Sequence, residues 1–255
     1  KRFFHRFSED GVFQGLVRIP EDRLRADDRR HFSVLVSGSL SVLVIDGDFF
    51  PGSYRSETFY LQRALETSAS VETPIVFSVM DIESATKTPL TGNDAVFLSG
   101  LSSVSPAMAE RIIQYVHHGG SIFISPHEET GDFNALTPIL PAKISSVRQS
   151  SGNRPVKVGA INRTHPVFDT FGDGPSGLEK TVIHRHLVFD MASEQGVSVL
   201  VDTKDGLPLL IERQIDKGVV MFLGVTMDRA WSDLPIRPGF LPLIQRSIKR
   251  MGGRL

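Results

Sequence analysis

A chain of 255 residues, 40% hydrophobic and 22% charged, has enough apolar surface for one large domain, or for one domain plus a fragment. Its 28 basic and 29 acidic residues leave a net charge of −1, which excludes a global field that would gather nucleic acid or an anionic membrane surface. The absence of cysteine excludes disulfides, thiolate zinc sites and a thiol nucleophile, and no apolar run approaches the ~18 residues needed to span a bilayer.

The chain opens on "KRFFHRF", without methionine and in mid-pattern, so it is expected to be an excised piece of a longer protein. Residues 1–40 read as a β extension. "GVFQGLVRIP" (11–20) and "HFSVLVSGSL" (31–40) carry strand-like apolar runs, joined by the charged "EDRLRADDRR", whose Leu24 and Ala26 give almost no apolar face. A sheet fragment of this size is not stable alone and is expected to lean on the main domain or a partner, as the tail of an upstream β-sandwich would.

Residues 41–255 read as one α/β domain. "SLSVLVIDGD" is a continuous apolar run ending in Asp46-Gly47-Asp48, as in a strand buried on both faces. A helix follows in "SETFYLQRALET", with Ser56 as its expected N-cap. "PIVFSVM" (74–80) and "NDAVFLSGL" (93–101) are the next strands. "SPAMAERIIQYVHHGG" is a helix with both ends labelled: Ser105 caps it, Pro106 takes the first helical position and Gly119 stops it. "SIFIS" (121–125) is the fourth strand. This alternation with short connections predicts a mostly parallel sheet flanked by helices.

Residues 145–177 read as irregular, with one short strand in "RPVKVGAI". "EKTVIHRHLVFD", "VSVLVDT", "PLLIERQ" and "GVVMFLGVT" then follow as four strands, and the turns "SEQG", "KDG" and "DKG" predict antiparallel pairing. The amphipathic "GFLPLIQRSIKRM" closes the chain as a helix with a basic end.

In open α/β sheets, ligands bind beyond the carboxyl ends of the strands. Here those ends carry Asp46 and Asp48, Ser99 and Gly100, Ser125 to Glu129, and Thr226 to Asp228. A convergent set of Asp46, Asp48, Glu128 and Asp228 would suit a divalent cation, although Asp residues near strand ends also cap helices and close turns. "FISPHEE" places Ser125, His127 and Glu128 where an α/β hydrolase exposes a serine. It lacks the flanking glycines, and Pro126 removes an N–H that could serve an oxyanion. The surface of a polar loop is the simpler place for His127. His117 and His118 complement a helix C-terminus, His165 serves a turn, and His184 with His186 makes two metal ligands without a third. Trp231, the only tryptophan, sits beside Asp228, Arg229 and Arg237, where it could stack on a ligand or plug the rim.

In order, "SVLVIDGD", "SETFYLQRAL", "NDAVFLSGL", "MAERIIQYVHHGGSIFISPHE" and "LLIERQIDKGVVMFLGVTMDRAWSDLPIRPGFLPLI" resemble the class I glutamine amidotransferase-like domain. The version most similar is the one at the carboxyl end of BatA-like, von Willebrand factor A-associated bacterial membrane proteins. "RIPEDRLRADDRRHFSVLV" is similar to the end of the β-sandwich that precedes it there. The resemblance implies a flavodoxin/Rossmann-like three-layer sandwich with antiparallel additions near the C-terminus. Active members place a cysteine at the elbow after the strand that "SIFIS" resembles, where this chain has Ser125 or Pro126. They place a histidine after the strand similar to "GVVMFLG", where this chain has Val225 or Thr226.

The resemblance therefore implies a non-catalytic, amidotransferase-like interaction or ligand-binding module without a cofactor or resident metal. It would form the extracytoplasmic part of a membrane-anchored bacterial envelope protein. Its partners would be proteins or other domains of the same polypeptide, not nucleic acid, and membrane association would run through segments outside this chain. The candidate ligand-binding residues are Asp46, Asp48, Ser99, Gly100, Ser125, His127, Glu128, Asp228 and Trp231. Two readings stand beside it: a hydrolase using Ser125 or a carboxylate-bound metal at the strand-end rim, and a carbohydrate-binding module stacking a sugar on Trp231.

Overall fold

The computed structural model describes residues 5, 7, 11–20, 28–36, 38–48, 56–67, 74–129, 132–150, 155–171, 174–191 and 196–255. The charged connection expected within 21–30 lies mostly outside these residues. The strands are β1 (Gly11–Arg18), β2 (Arg29–Val36), β3 (Leu40–Asp46), β4 (Ile75–Asp81), β5 (Ala95–Leu101), β6 (Ile122–Pro126), β7 (Lys143–Gln149), β8 (Val156–Ile161), β9 (Val182–Ile183), β10 (Arg185–Asp190), β11 (Val197–Thr203), β12 (Pro208–Ile215) and β13 (Gly218–Leu223). The helices are α1 (Phe59–Glu66), α2 (Ile82–Lys87), α3 (Pro106–His117) and α4 (Phe240–Met251). It is a mixed α/β structure dominated by one large sheet.

That sheet runs β4-β3-β5-β6-β13-β12-β11-β8-β9. The five strands from β4 to β13 are parallel and the rest antiparallel. The central strands β5, β6 and β13 are buried along their whole length, which is why they read as unbroken apolar runs. Phe97 of β5 and Phe123 of β6 stack at 5.0 Å between ring centroids in this core. The chain leaves β3 for β4 on one side and then returns to β5 on the other. The strand order therefore reverses at β3 and β5, the place where such sheets open a crevice.

α3 forms as its end signals predict. The Ser105 side chain accepts from Met108 N, Pro106 takes the first turn, and Met108, Ala109, Ile112, Tyr115 and Val116 make the buried stripe. Gly119, at φ +95°, and Gly120 return their N–H groups to Val116 and Tyr115, closing the end in a Schellman motif. α4 turns Phe240, Leu243, Ile244, Ile248 and Met251 inward and packs against α1 and β3, so its apolar face is used within the fold. Among the described residues, no helix is long and apolar enough to cross a membrane.

Three expectations change. β7 runs from Lys143 to Gln149, into the start of the 145–177 stretch read as irregular, and pairs antiparallel with β10; β11 lies between β12 and β8 instead of beside β10. The short helix α2, capped by Asp81 accepting from Ser84 N, has too few apolar residues to show a period. Ser56 is not the cap of α1: Thr58 holds that position without a side-chain cap, and the Ser56 hydroxyl turns elsewhere.

β1 and β2 pair with each other along their whole length and, among the described residues, with no strand of the large sheet. The ring of Phe32 lies directly over Gly15, where any Cβ would meet it at 2.2 Å. Val12 is 67% exposed.

A close backbone approach locks the carboxyl ends of β3 and β5. A Cβ on Gly47 would stand 2.0 Å from the Gly100 carbonyl oxygen, and Gly47 N donates to Ser99 O at 2.9 Å. Gly47→Ala is expected to destabilise the fold by about 3 kcal/mol in urea unfolding, since rigid backbone must move. Gly92→Ala, where φ is +91° but nothing lies within 4 Å of the added carbon, should cost about 1 kcal/mol, from backbone strain alone.

Candidate functional site

β3 delivers Asp46 to the switch point as a buried carboxylate, and such a group requires donors. It accepts from Ser56 Oγ at 2.7 Å, from Thr58 Oγ1 at 2.6 Å and from Asp48 N at 3.1 Å. The two hydroxyls are 2.9 Å apart, and Gln62 Nε2 donates to Thr58 Oγ1. Ser56 and Thr58 are thereby pinned on either side of Glu57.

Glu57 is the residue that the sequence did not single out. It is only 3% exposed. Its Oε1 accepts from Glu128 N at 2.9 Å, and its Oε2 has no hydrogen-bond partner. A Cβ at position 100 would sit 3.1 Å from that oxygen, and Gly100 holds φ +69°, so glycine suits the position on both counts. Burial, with a smaller contribution from the charges of Asp228, Asp48 and Asp46, pushes the Glu57 carboxyl up to about 8 against the pull of the Glu128 amide. Nε2 of His127 lies 3.6 Å from Oε1. Nδ1 of that ring accepts from Glu129 N at 3.0 Å, which leaves Nε2 as the N–H that faces Glu57.

The elbow looks different from a nucleophile site. Ser125 is 0% exposed, and its hydroxyl shares a 2.8 Å hydrogen bond with that of Ser99, also buried. His127 turns to Glu57, not to Ser125. Thr226 is buried, and its hydroxyl accepts from Trp231 N at 3.4 Å. Trp231 is 1% exposed, donates from Nε1 to Glu128 O at 3.1 Å and carries the Arg185 guanidinium 4.6 Å above its ring. Arg185 also donates to Glu128 O at 3.0 Å.

The rim thus gathers Asp46, Asp48, Gly100, His127 and Asp228 around Glu57. Glu128 contributes its backbone amide and carbonyl, and its side chain is exposed. His127, expected on the loop surface, is partly buried. Asp228 is half-buried and accepts from Ala230 N. Among the described residues, no group of three or more acidic or histidine side chains is placed to hold a metal ion; Asp46 Oδ2 is already taken by the Ser56 and Thr58 hydroxyls and Oδ1 by the Asp48 amide.

The remaining histidines do not form sites. His184 is exposed while His186 is buried with Nδ1 on Leu187 O, so they do not act as a pair. His165 does more than close a turn, since its Nε2 lies 3.4 Å from the buried Glu212 carboxylate, which Arg250 also grips at 2.7 Å. A cavity of about 480 Å³ opens at the opposite, amino end of the parallel strands, lined by Asp94, Tyr115, His118 and Lys217. Glu57 Oε2 is the buried carboxyl oxygen without a hydrogen-bond partner at the rim; Asp28 Oδ1 and Oδ2 and Glu212 Oε2 share that state elsewhere in the fold.

No protein-family model and no curated protein sequence matches the chain. Among solved structures it is similar to a cytoplasmic protein of Salmonella typhimurium, at 13% identity and TM-score 0.62, covering 94% of this chain and 95% of that one. A second cytoplasmic protein of that organism matches at 14% identity and TM-score 0.58, covering 95% and 96%. A cold-adapted β-galactosidase from Rahnella matches at 16% identity and TM-score 0.56, covering 84% of this chain and 31% of the enzyme. At these identities the likeness is one of fold.

Two outcomes test this geometry. Glu57 holds its proton in the folded state up to about pH 8, whereas an unfolded glutamate loses it near pH 4.3. Folding stability should therefore fall as pH rises from about 4.5 to 8, because the unfolded state then binds fewer protons than the native one. Glu57→Gln, which mimics the protonated acid, should remove that slope and be the more stable protein at pH 8.5 by a few kcal/mol in urea titrations. Ser125→Ala strands the Ser99 hydroxyl and should cost about 1–3 kcal/mol, much of it recovered in the Ser99→Ala, Ser125→Ala double variant.

Proposed function

We propose that the chain is an amidotransferase-like α/β domain, a Rossmann-like three-layer sandwich in its finer architecture, that binds a ligand or partner at the strand-end rim and carries out no glutaminase chemistry. The observation that carries this reading is the state of the elbow. Ser125 is fully buried and bonded to Ser99, while His127 faces Glu57, so the elbow hydroxyl is not paired with that base. The absence of any cysteine and the buried Thr226 at the position matching the family's histidine agree with it. The reversal of strand order at β3 and β5 supports a binding role for the same rim.

The alternatives have less support. A hydrolase acting through Ser125 would need that side chain exposed. A sugar platform on Trp231 would need a free ring face, whereas this ring is buried beneath Arg185. Placement in a cell-envelope protein rests on the resemblance to the von Willebrand factor A-associated proteins.

Trp231 provides the readout. As the only tryptophan, bonded to Glu128 beside Glu57, it should report rim occupancy through its fluorescence. The purified protein is expected to release no ammonia from glutamine while rim ligands shift the Trp231 emission. Glutamine turnover that disappears in Ser125→Ala would overturn the reading.

A further inference from the structure

We infer that the rim takes a primary ammonium group, which replaces the proton on Glu57 as it binds. The inference rests on the reading of the rim as a binding site and names the chemistry of its ligand.

The starting point is an oxygen without a partner. Glu57 Oε2 is buried and receives no hydrogen bond, although the Ser56 and Thr58 anchors, the Glu128 amide and Gly100 hold its carboxyl in place. Buried polar oxygens in native structures are almost always satisfied, so one left without a donor among the Asp46, Asp48 and Asp228 side chains calls for a group to pair with it. The groups facing it come from each surrounding element. Asp46 ends β3 and Asp48 follows it, His127 follows β6 and Asp228 follows β13, while β5 contributes only Gly100.

Three of these are carboxyl groups and the fourth is an imidazole whose Nδ1 already accepts from Glu129 N. Among the described residues, no lysine or arginine forms an ion pair with Asp46, Asp48, Glu57 or Asp228. Arg185 is engaged with Trp231 and the Glu128 carbonyl. An anion would meet three like charges. A neutral acceptor would satisfy the Glu57 proton but leave the carboxylates uncompensated, and a metal ion lacks its ligand set. A primary ammonium offers three donors and one positive charge, which suits Glu57 Oε2 with the half-exposed Asp48 and Asp228. Its charge favours the ionised Glu57, and the displaced proton leaves to solvent.

The experiment titrates the intact chain with n-butylammonium chloride, sodium butyrate and n-butanol at fixed ionic strength. Trp231 fluorescence reads occupancy, and calorimetry in two buffers of different ionisation enthalpy counts protons. Butylammonium is expected to bind with release of about 0.9 proton per site at pH 7, tightening about tenfold from pH 6 to 7 and levelling above pH 8. Glu57→Gln should abolish proton release and weaken binding at least tenfold. Asp228→Asn should weaken it severalfold with proton release retained, and His127→Asn should leave the release in place. A lysine tripeptide with blocked termini separates the two sources of the group: tighter binding than butylammonium assigns it to a protein side chain, and weaker binding to a free amine.

Butylammonium binding without proton release, or equally well to Glu57→Gln, overturns the inference. So does tighter binding of butyrate or butanol at Trp231, which leaves the rim as a binding site with a different ligand. If no probe moves Trp231, both this inference and the binding role of the rim fall. Should Glu57→Gln fail to give a cooperative melt, the pH dependence of the wild-type chain and of Asp228→Asn decides the question.

Discussion

A carboxylate removed from water at the end of a central strand must find donors close by, and Asp46 finds them in the segment that begins α1. The hydroxyls of Ser56 and Thr58 reach it at 2.7 and 2.6 Å, so the entry to the helix is tied to the sheet. Everything at the rim depends on this tie. It fixes the backbone on both sides of Glu57, and Glu57 in turn accepts from the Glu128 amide at the end of β6. The carbonyl of that same residue receives Trp231 and Arg185. One buried carboxylate thereby organises the ends of three parallel strands and the loop that follows β13.

The same tie sets the electrostatics. Two buried glutamates show how environment decides charge. Burial pushes the Glu212 carboxyl up, yet His165 and Arg250 hold it below the usual range, so it is ionised inside a network that clamps α4. Glu57 is buried beside the like charges of Asp228, Asp48 and Asp46, and it keeps its proton to about pH 8. A pair of carboxyl groups whose surroundings drive them apart is a common sign that one is structural and the other is held ready for a ligand. Glu212 fastens a helix, and Glu57 keeps its proton at the strand ends.

Much of the framework was legible in the sequence because it is local. Ser105, Pro106 and Gly119 mark the ends of α3 through interactions within four residues. The apolar runs of β3, β5, β6 and β13 report burial on both faces. β7 was not legible, since Lys143–Gln149 alternates weakly and owes its strand form to pairing with β10 some forty residues away. Ser56 shows the limit of capping rules: a serine before a helix suits the cap, but a buried carboxylate across the crevice is a stronger acceptor for its hydroxyl. Ser125 is the penultimate residue of β6, and its burial against Ser99 cannot be read from neighbouring residues.

The sequence by itself determined the class of fold, the position of the strand-end rim and the lack of a thiol, because periodicity, end signals and composition are properties of adjacent residues. Only the tertiary structure decided which residue matters at that rim. Glu57 stands among ordinary helix-forming residues and has no motif of its own. Its proton comes from burial, from the charges of Asp46, Asp48 and Asp228, and from a fixed contact with an amide 71 residues further along the chain. Such an environment exists only once the parallel register has brought those strand ends together.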